Sequence, residues 1–313
     1  MDHSMKPCGN VSFATDPKFK VDVLKAPSSR LCDICLLNHW DPVRYGELVV
    51  KKWKTGRTLC CHYFCLLSGT LIPQSGSDTA GIFGFLLRDI LEAIPKFRGK
   101  RCSYCNRLSA SIQCKQGGCD RWYHYSCGYT NYCVTEFTGQ YDSYCHEHLP
   151  EEFELPPMEG RNCNICFEDF APPSDKEHNP VAIVVSNCSA ECPVGTFHRE
   201  CLQRFAFNAG YSFRCPNCFD PNYKHDAALQ GIFVPKRESS WEREAGAFKD
   251  LHKRRCTAKE CTRRGTYNEK SVATMVGCKV CGGMLMHKVC TELADPTEYV
   301  CALCFDETFI RLL

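Results

Sequence analysis

The sequence predicts a series of small α+β domains held in shape by zinc rather than by one large hydrophobic core. Three observations predict this fold class. The 313 residues include 27 Cys, a fraction far above ordinary use. All but one of these cysteines, with several histidines, fall into four clusters, at 32–65, 102–148, 163–218 and 256–304. Within each cluster they pair at short spacings such as Cys-x-x-Cys, which is typical of zinc sites.

Disulfide bonds are the other explanation for so many cysteines. The segment Met1–Asn10 has no apolar stretch of the kind found in secretion signals, so we expect no export signal. The best candidate for a membrane span, Ile82–Ile94, is interrupted by charged residues at 88, 89 and 92, so no membrane partner is expected. In the reducing compartment that this implies, paired cysteines indicate metal.

The formal net charge of +2 describes the chain without metal. Cysteine ligands bind zinc as thiolates, and the assignment below has 23 such cysteines and about seven Zn²⁺ ions. The zinc-loaded protein is therefore expected to carry a charge of about −7, which disfavours a general nucleic-acid binder. Three basic stretches keep nucleic-acid contact open as a weaker possibility, although a solvated surface is the more usual explanation. They are Lys51–Lys54, Lys96–Arg101 and Lys249–Arg255.

Composition also predicts the domain boundaries. The acidic, proline-rich stretch Pro150–Glu159 is typical of a linker, and the first residues lack apolar periodicity. We predict a flexible tail at 1–28, a first domain at 29–150, a linker at 151–160, a second zinc module at 161–220, a second linker at 221–250 and a third zinc module at 251–308.

One helix is predicted between the first two clusters. Ser77 and Asp78 can cap it, apolar residues recur at helical spacing from Ile82 to Ile94, and Pro95 is expected to end it. The apolar face of this helix needs a partner, so the first two clusters are expected to fold as one domain.

The spacing of the pairs predicts the zinc sites, since each Zn²⁺ takes four ligands in a tetrahedron. In a cross-brace of four pairs, pairs one and three hold one ion and pairs two and four hold the other. The first cluster supplies one site: Cys32, Cys35, His62 and Cys65. The second supplies two sites: Cys102, Cys105, His124 and Cys127, then Cys114, Cys119, Cys145 and His148.

The third and fourth clusters share one ligand order, namely four cysteines, one histidine and three cysteines. The pairs of the third cluster are Cys163/Cys166, Cys188/Cys192, His198/Cys201 and Cys215/Cys218. Those of the fourth are Cys256/Cys261, Cys278/Cys281, His287/Cys290 and Cys301/Cys304.

The number of predicted ligands matches a whole number of four-ligand zinc sites. The assignment uses 23 Cys and five His, which fills about seven four-ligand sites and leaves no open position for water, so the zinc is expected to be structural. Four cysteines remain unassigned: Cys8, Cys60, Cys61 and Cys133. Cys61 in place of His62, and Cys133 or His146 in the second cluster, stay open as alternatives.

The segment Cys119–Cys127, with Trp122 and Tyr123 before the histidine, is typical of a plant-homeodomain (PHD) finger. A single-zinc knuckle, a helix and such a finger together are similar to the extended PHD domain of chromatin proteins. From about residue 31 to 304 the chain resembles the family of PHD finger protein 7 and the G2/M-phase-specific E3 ubiquitin ligase. The stretches His62–Leu66 and Trp241–Leu251 add to this resemblance.

The resemblance implies an extended PHD domain, a cross-brace RING-like finger and a PHD-like finger, in that order. It also implies a nuclear location, a histone tail or nucleosome as partner, and ubiquitin transfer with a ubiquitin-conjugating (E2) enzyme. One family member has a C-terminal HECT domain with a catalytic cysteine. Only nine residues follow Cys304 here, so we expect that route to be absent.

By the same resemblance, the E2 is expected to dock on Ile165, Leu202, Phe205 and Pro216, the helical part of this surface spanning 202–207. Two observations favour the alternative of a non-catalytic histone reader or adaptor. Ile34 has the same position as Ile165 in the first zinc cluster, which does not belong to a RING finger, and Phe219 stands where many RING fingers carry a basic residue.

In the last finger Leu285 and Met286 replace the usual aromatics, so a methyl-lysine cage is not expected there.

Overall fold

The computed structural model describes residues 21–24, 26–68, 72–150, 156–170, 183–186, 188, 192–243, 256–261, 274–280, 284–302 and 304–305. The chain divides into two compact units, Met1–Ser240 and Trp241–Leu313. None of the helices in these ranges combines the length and apolar character that crossing a membrane requires.

The first module of the N-terminal unit is a three-stranded antiparallel sheet. Its strands are β1 (Asp22–Val23), β2 (Leu48–Lys52) and β3 (Thr58–His62), paired in that order. A short helix, α1 (Pro42–Tyr45), precedes β2; the Asp41 carboxylate caps it by accepting from two backbone N–H groups. Helix α2 (Tyr63–Leu67) follows β3 directly, and all five of its residues are buried.

Helix α3 (Leu87–Arg98) joins this module to the PHD finger, but it begins later than the sequence predicted. The segment before it turns tightly instead, with positive φ at Gly81, Phe83 and Gly84 and a bridge between Ile82 and Phe85. Glycine adopts such backbone angles without steric penalty. The apolar spacing over 82–86 therefore comes from side chains buried in a turn and not from a helix.

Helix α3 also continues past Pro95, which we expected to end it. A proline inside a helix removes one backbone hydrogen bond and costs about 3 kcal/mol. Tertiary contacts of the last turn offset that cost. Phe97 is fully buried, and Arg98 donates to the Asp33 carbonyl at 2.8 Å and to the Ser109 hydroxyl at 3.0 Å.

The PHD finger consists of two short hairpins around one helix. Strands β4 (Ile112–Gln113) and β5 (Trp122–Tyr123) pair, as do β6 (Val134–Thr135) and β7 (Ser143–Tyr144), and α4 (Tyr125–Thr130) lies between them in the chain. Tyr123 is buried against Gly128 of α4, where a Cβ atom would lie 2.6 Å from the tyrosine ring. Trp122 is half-buried, with the Lys100 ammonium 4.9 Å from its ring centre. Both aromatics therefore serve packing.

The middle finger has the hairpin of β8 (Ile183–Ser186) and β9 (Gly195–His198), then α5 (Arg199–Ala209). Helices α6 (Tyr223–Leu229) and α7 (Ser240–Arg243) follow. Sequence patterning placed a linker from residue 221, but Tyr223 and Ile232 are fully buried with Phe197 and Leu202. The segment after the last zinc ligand is thus part of the core of this finger.

The extended PHD domain and the middle finger share a core. Phe64 of α2 packs against Phe207 of α5 and against Phe233, with ring centres 6.5 and 5.3 Å apart. The backbone N–H of Phe137 donates to the carbonyl of Ala228 at 2.9 Å. The two modules therefore form one packed body.

Polar contacts centred on the start of α5 accompany this core. The Arg199 guanidinium lies 4.4 Å from the ring centre of Tyr129 and donates to the backbone carbonyls of Cys133 and Gly231. Its neighbour Glu200 accepts from both Nε and Nη2 of Arg44, at 3.0 and 2.7 Å. The side chain of Arg199, directly after the predicted zinc ligand His198, thus touches both modules.

The C-terminal unit contains the last finger. Strands β10 (Met275–Val276) and β11 (Met286–His287) pair, and two 3₁₀ turns follow at Lys288–Cys290 and Pro296–Glu298. Tyr299 is buried beside Cys278, Cys301 and Cys304. An aromatic residue two positions before a zinc ligand thus fills the small core of this finger.

Candidate metal centres and docking surface

Four Cys-x-x-Cys knuckles, all in the N-terminal unit, are built by the same backbone turn. The residue after the second cysteine has a positive φ, 57° at Leu36, 58° at Asn106, 62° at Phe167 and 61° at Phe219. Its N–H donates to the carbonyl of the first cysteine at 2.8–2.9 Å in all four knuckles. This turn places both sulfur atoms on one side of the loop, ready for one ion.

The structure brings the predicted ligands together in the predicted cross-brace groupings. In each of five groups of four residues, the ligand atoms all lie within 4.8 Å of one another. The groups are Cys32, Cys35, His62 and Cys65; Cys102, Cys105, His124 and Cys127; Cys114, Cys119, Cys145 and His148; Cys163, Cys166, His198 and Cys201; and Cys188, Cys192, Cys215 and Cys218. Two further groups of candidate ligands occur in the described part of the chain.

The last finger shows the same ligand contacts. His287 Nδ1 lies 3.4 Å from Cys261 Sγ and 3.8 Å from Cys290 Sγ, and the N–H of His287 donates to Cys256 Sγ. For the second predicted site, the N–H of Cys301 donates to the sulfur of Cys278 at 3.2 Å. Cys304 is buried in the same core. The remaining predicted ligand, Cys281, lies outside the described residues.

The interatomic distances fit a tetrahedral zinc ion. With Zn–S and Zn–N bonds of about 2.3 and 2.0 Å, the ligand atoms should lie about 3.8 Å apart for two sulfurs and about 3.5 Å apart for sulfur and nitrogen. Cys192 and Cys215 sulfurs are 3.9 Å apart. The His62 Nδ1 atom lies 3.5 and 3.7 Å from the sulfurs of Cys35 and Cys65. The residues present therefore fit Zn²⁺.

Two of the histidines are also oriented for metal binding. The Nε2 atom of His62 donates to the His39 carbonyl at 2.8 Å, and that of His124 donates to the Leu108 carbonyl at 3.0 Å. A backbone acceptor on one ring nitrogen fixes the tautomer and leaves the other nitrogen free to bind a metal. Nδ1 is the nitrogen that faces the cysteines in both groups.

The local environment favours thiolates at the first cysteine of the paired knuckles. A hydrogen bond from the Cys201 thiol, supported by His198 and nearby backbone N–H groups, lowers the pKa of Cys163 to about 3. The equivalent contact from Cys127 lowers the pKa of Cys102 to about 3. A thiolate is the form that binds zinc.

The unassigned cysteines have the opposite environment. Burial raises the pKa of Cys60 to about 11 and that of Cys133 to about 12, so both remain thiols at neutral pH. The Tyr104 hydroxyl contacts the sulfur of Cys133 at 3.1 Å and Nδ1 of His146 at 2.8 Å. The alternatives that the sequence left open thus lie outside the five groups named above, and Cys8 lies outside the described residues.

The four residues predicted to dock an E2 differ in accessibility. Ile165, Phe205 and Pro216 are half-buried, and the first two pack against the core of the finger. Leu202 is 0% exposed and packs inside that core. Leu202 faces the interior and holds its helix against the core, so it is not part of the docking surface.

Two exposed aromatic residues follow the same two knuckles in sequence and are candidates for this surface. Phe167 is 73% and Phe219 68% exposed, and each follows the second cysteine of a knuckle at a positive φ. A non-glycine residue in that backbone region costs about 1–2 kcal/mol. Sequence reasoning missed Phe167, although the repeated Cys-x-x-Cys-Phe pattern could have identified it. Ile34, the sequence counterpart of Ile165, is instead fully buried in its own knuckle.

Comparison with protein families supports the zinc assignment. The model of a PHD-like zinc-binding domain matches residues 62–149, within the range that we predicted for the extended PHD domain. Together with the clustered ligands and the short helices and hairpins, this match confirms the predicted fold class. The chain carries several Cys/His clusters suited to zinc.

Curated relatives match over most of the chain. The Pineapple eye protein of Drosophila melanogaster is 33% identical over 291 residues, which are 88% of this chain and 47% of that protein. The human G2/M phase-specific E3 ubiquitin-protein ligase is 35% identical over 272 residues, 84% of this chain and 37% of that protein. The human Histone-lysine N-methyltransferase 2D is 30% identical over 102 residues, 32% of this chain and 2% of that protein.

These matches confirm the resemblance inferred from the order of the zinc ligands. The chain spans less than half the length of the first two relatives. The aligned part of each therefore corresponds to most of the zinc modules described above.

Proposed function

Since this chain is a homologue of the G2/M phase-specific E3 ubiquitin-protein ligases over most of its length, we propose that it is a RING-type E3 ubiquitin ligase. Its middle finger recruits a ubiquitin-loaded E2, and its substrate is a histone or another chromatin protein in the nucleus. The similarity of 102 residues to a protein named as a histone methyltransferase supports the chromatin part of the proposal.

The observation that carries the ligase proposal is the accessible apolar edge of the middle finger. Ile165 and Phe167 come from its first knuckle, and Pro216 and Phe219 come from its last. Exposed aromatic and aliphatic side chains at rigid positions are typical anchors of a protein interface. Zinc, when bound, fixes both knuckles, so these side chains are presented without further ordering.

The proposed reaction needs no nucleophile from this chain. A RING finger holds the E2–ubiquitin thioester in a reactive pose, and the rate gain comes from orientation. The described cysteines outside the predicted zinc groups support this mechanism, since Cys60, Cys61 and Cys133 are all buried and their pKa values are raised by burial. Such thiols are poor nucleophiles at neutral pH.

The second candidate is a non-catalytic histone reader or adaptor that uses its PHD fingers. Phe219 in the place of a basic residue favours it, because many RING fingers use a cation there to hold the thioester. An added peptide strand along a finger hairpin would be the mode of histone binding. Both candidates share the chromatin partner and differ in whether ubiquitin is transferred.

An autoubiquitylation assay of the full zinc-loaded chain with a panel of E2 enzymes separates the two. We expect transfer with at least one E2 and a loss of about tenfold or more in the Ile165→Ala/Pro216→Ala variant, because a small interface depends on few anchors. The Leu36→Ala variant is the control, since Leu36 is an exposed apolar residue of the first zinc cluster that lies outside the proposed docking surface. Absence of transfer with every E2, or equal transfer by wild type and double variant, would favour the adaptor.

A further inference from the structure

A groove on the N-terminal unit begins between the extended PHD domain and the middle finger and continues over the extended PHD domain. It consists of two clefts of about 720 and 600 Å³, each large enough for a specific ligand. The two clefts are continuous, because both are lined by the same four residues: Leu67, Gln74, Gly139 and Tyr141. Neither cleft is lined by a predicted zinc ligand or by a residue of the proposed E2-docking surface.

The centre of the groove is aromatic. The Tyr63 ring meets Phe83 and Phe233 edge-on, with ring centres 4.8 and 5.5 Å apart. Phe137 packs edge-on against Phe233 at 5.5 Å. Tyr211, which is 61% exposed, lines the same cleft. This centre can accept an apolar or aromatic side chain.

One end of the groove is basic. Lys224 and Lys236 both line the larger cleft, and neither forms an ion pair with any carboxylate in the described ranges. Burial, with the charge of Lys236, lowers the pKa of Lys224. An acidic group of a ligand would relieve this repulsion.

The other end presents the carboxylate of Asp89. Asp89 and Glu92 of α3 line the smaller cleft together with Lys96, which pairs with Glu92 at 3.3 Å, so Asp89 is the carboxylate there that no cation among the cleft's lining residues pairs. Asp78 lines the larger cleft. The Oδ2 atom of Asp89 is buried and has no hydrogen-bond partner among the described residues, while its Oδ1 atom lies 3.1 Å from Nε of Arg88. A buried carboxylate oxygen without a donor is unfavourable, so a donor from a ligand would stabilise this site.

We propose that this groove binds an extended peptide segment of a partner protein. The peptide places a basic residue beside Asp89, an apolar or aromatic residue over the central rings and an acidic residue beside Lys224 and Lys236. Opposite charges at the two ends distinguish such a peptide from a nucleic acid, which is anionic throughout and is repelled at the Asp89 end. The larger cleft, with the central rings and both lysines, needs both modules, so the full site exists only in the packed N-terminal unit.

Synthetic ten-residue peptides test the proposal by fluorescence polarisation with the full zinc-loaded chain. The set has Phe or Ala at the centre and Lys or Glu at each end, in all combinations. Peptides with central Phe and opposite end charges should bind at least ~10-fold more tightly than those with central Ala or with equal end charges, a difference of about 1.4 kcal/mol. Ubiquitin takes no part, so the result is independent of the proposed ligase activity.

The Lys224→Glu/Lys236→Glu variant makes both ends of the groove acidic. Its preference should move to the peptide with Lys at both ends, a gain that misfolding cannot produce. Lys52→Glu is the control, because this exposed lysine of β2 lies outside both clefts. Equal binding of all peptides, an unchanged preference in the charge-reversed variant, or tighter binding of a single-stranded oligonucleotide than of any peptide would overturn the proposal.

Discussion

Arg199 joins the extended PHD domain to the middle finger through contacts with both modules. It is 4% exposed, it stacks on Tyr129, and it donates to two backbone carbonyls that belong to different modules. The planar, permanently charged guanidinium allows stacking and several hydrogen bonds at once, which a lysine ammonium cannot reproduce. Arg199, beside the predicted zinc ligand His198, therefore links the finger to its neighbour.

We predict that Arg199→Ala lowers the free energy of unfolding of the N-terminal unit by about 2–4 kcal/mol, because it leaves buried carbonyls without donors and a void beside Tyr129. Arg204→Ala is the control. Arg204 lies on the exposed side of the same helix and pairs with Glu200, so its loss should cost only about 0.5 kcal/mol. Chemical denaturation of both variants in excess zinc measures the difference, and equal losses would contradict the role of Arg199.

At the scale of elements, the sequence pattern predicts that helix α3 exists but does not predict where it begins and ends. The existence of a helix between the first two clusters was predicted, but both of its ends differ from the prediction. Its start is decided by positive φ angles at Gly81 and Gly84. Its end is decided by tertiary contacts of Phe97 and Arg98, which outweigh Pro95. Local patterns do not contain such distant partners.

We predict that Phe97→Ala destabilises the extended PHD domain by about 3–5 kcal/mol, since Phe97 is fully buried in the core that spans both zinc clusters. Limited proteolysis should cut the variant near α3 much faster than the wild type. Glu92→Ala, on the exposed face of the same helix, should leave the cleavage rate unchanged. Rapid cleavage of wild type between residues 80 and 95, with both flanking fingers intact, would show two separate domains instead of one.

At the scale of the whole molecule, the ligand groups were predictable and the packing between modules was not. Pair spacing alone gives the cross-brace, because each knuckle places two ligands on one side of a turn. The contact of Phe64 with Phe207 and Phe233 could not be predicted, since isolated phenylalanines in three segments carry no sign that they meet. The same contact explains why Phe207 was assigned to a docking surface and instead lies buried.

We predict about seven zinc ions per chain, because every predicted site has four ligands and none is shared. Native mass spectrometry of the folded chain measures this number. Stepwise chelation should remove the ions with loss of folded structure, since metal binding contributes much of the folding free energy of small zinc modules. Five or fewer ions in a fully folded sample would contradict the assignment of at least one module.

The most direct test of the central proposal is the rate at which ubiquitin leaves an E2 thioester for free lysine in a single turnover. Free lysine removes any dependence on the substrate, so the rate reports only on how the finger orients the thioester. We predict that the full chain accelerates this discharge, that Phe167→Ala slows it about tenfold or more, and that Leu36→Ala leaves it unchanged. A discharge rate equal to that of the E2 alone, with every E2 tested, would contradict the ligase account.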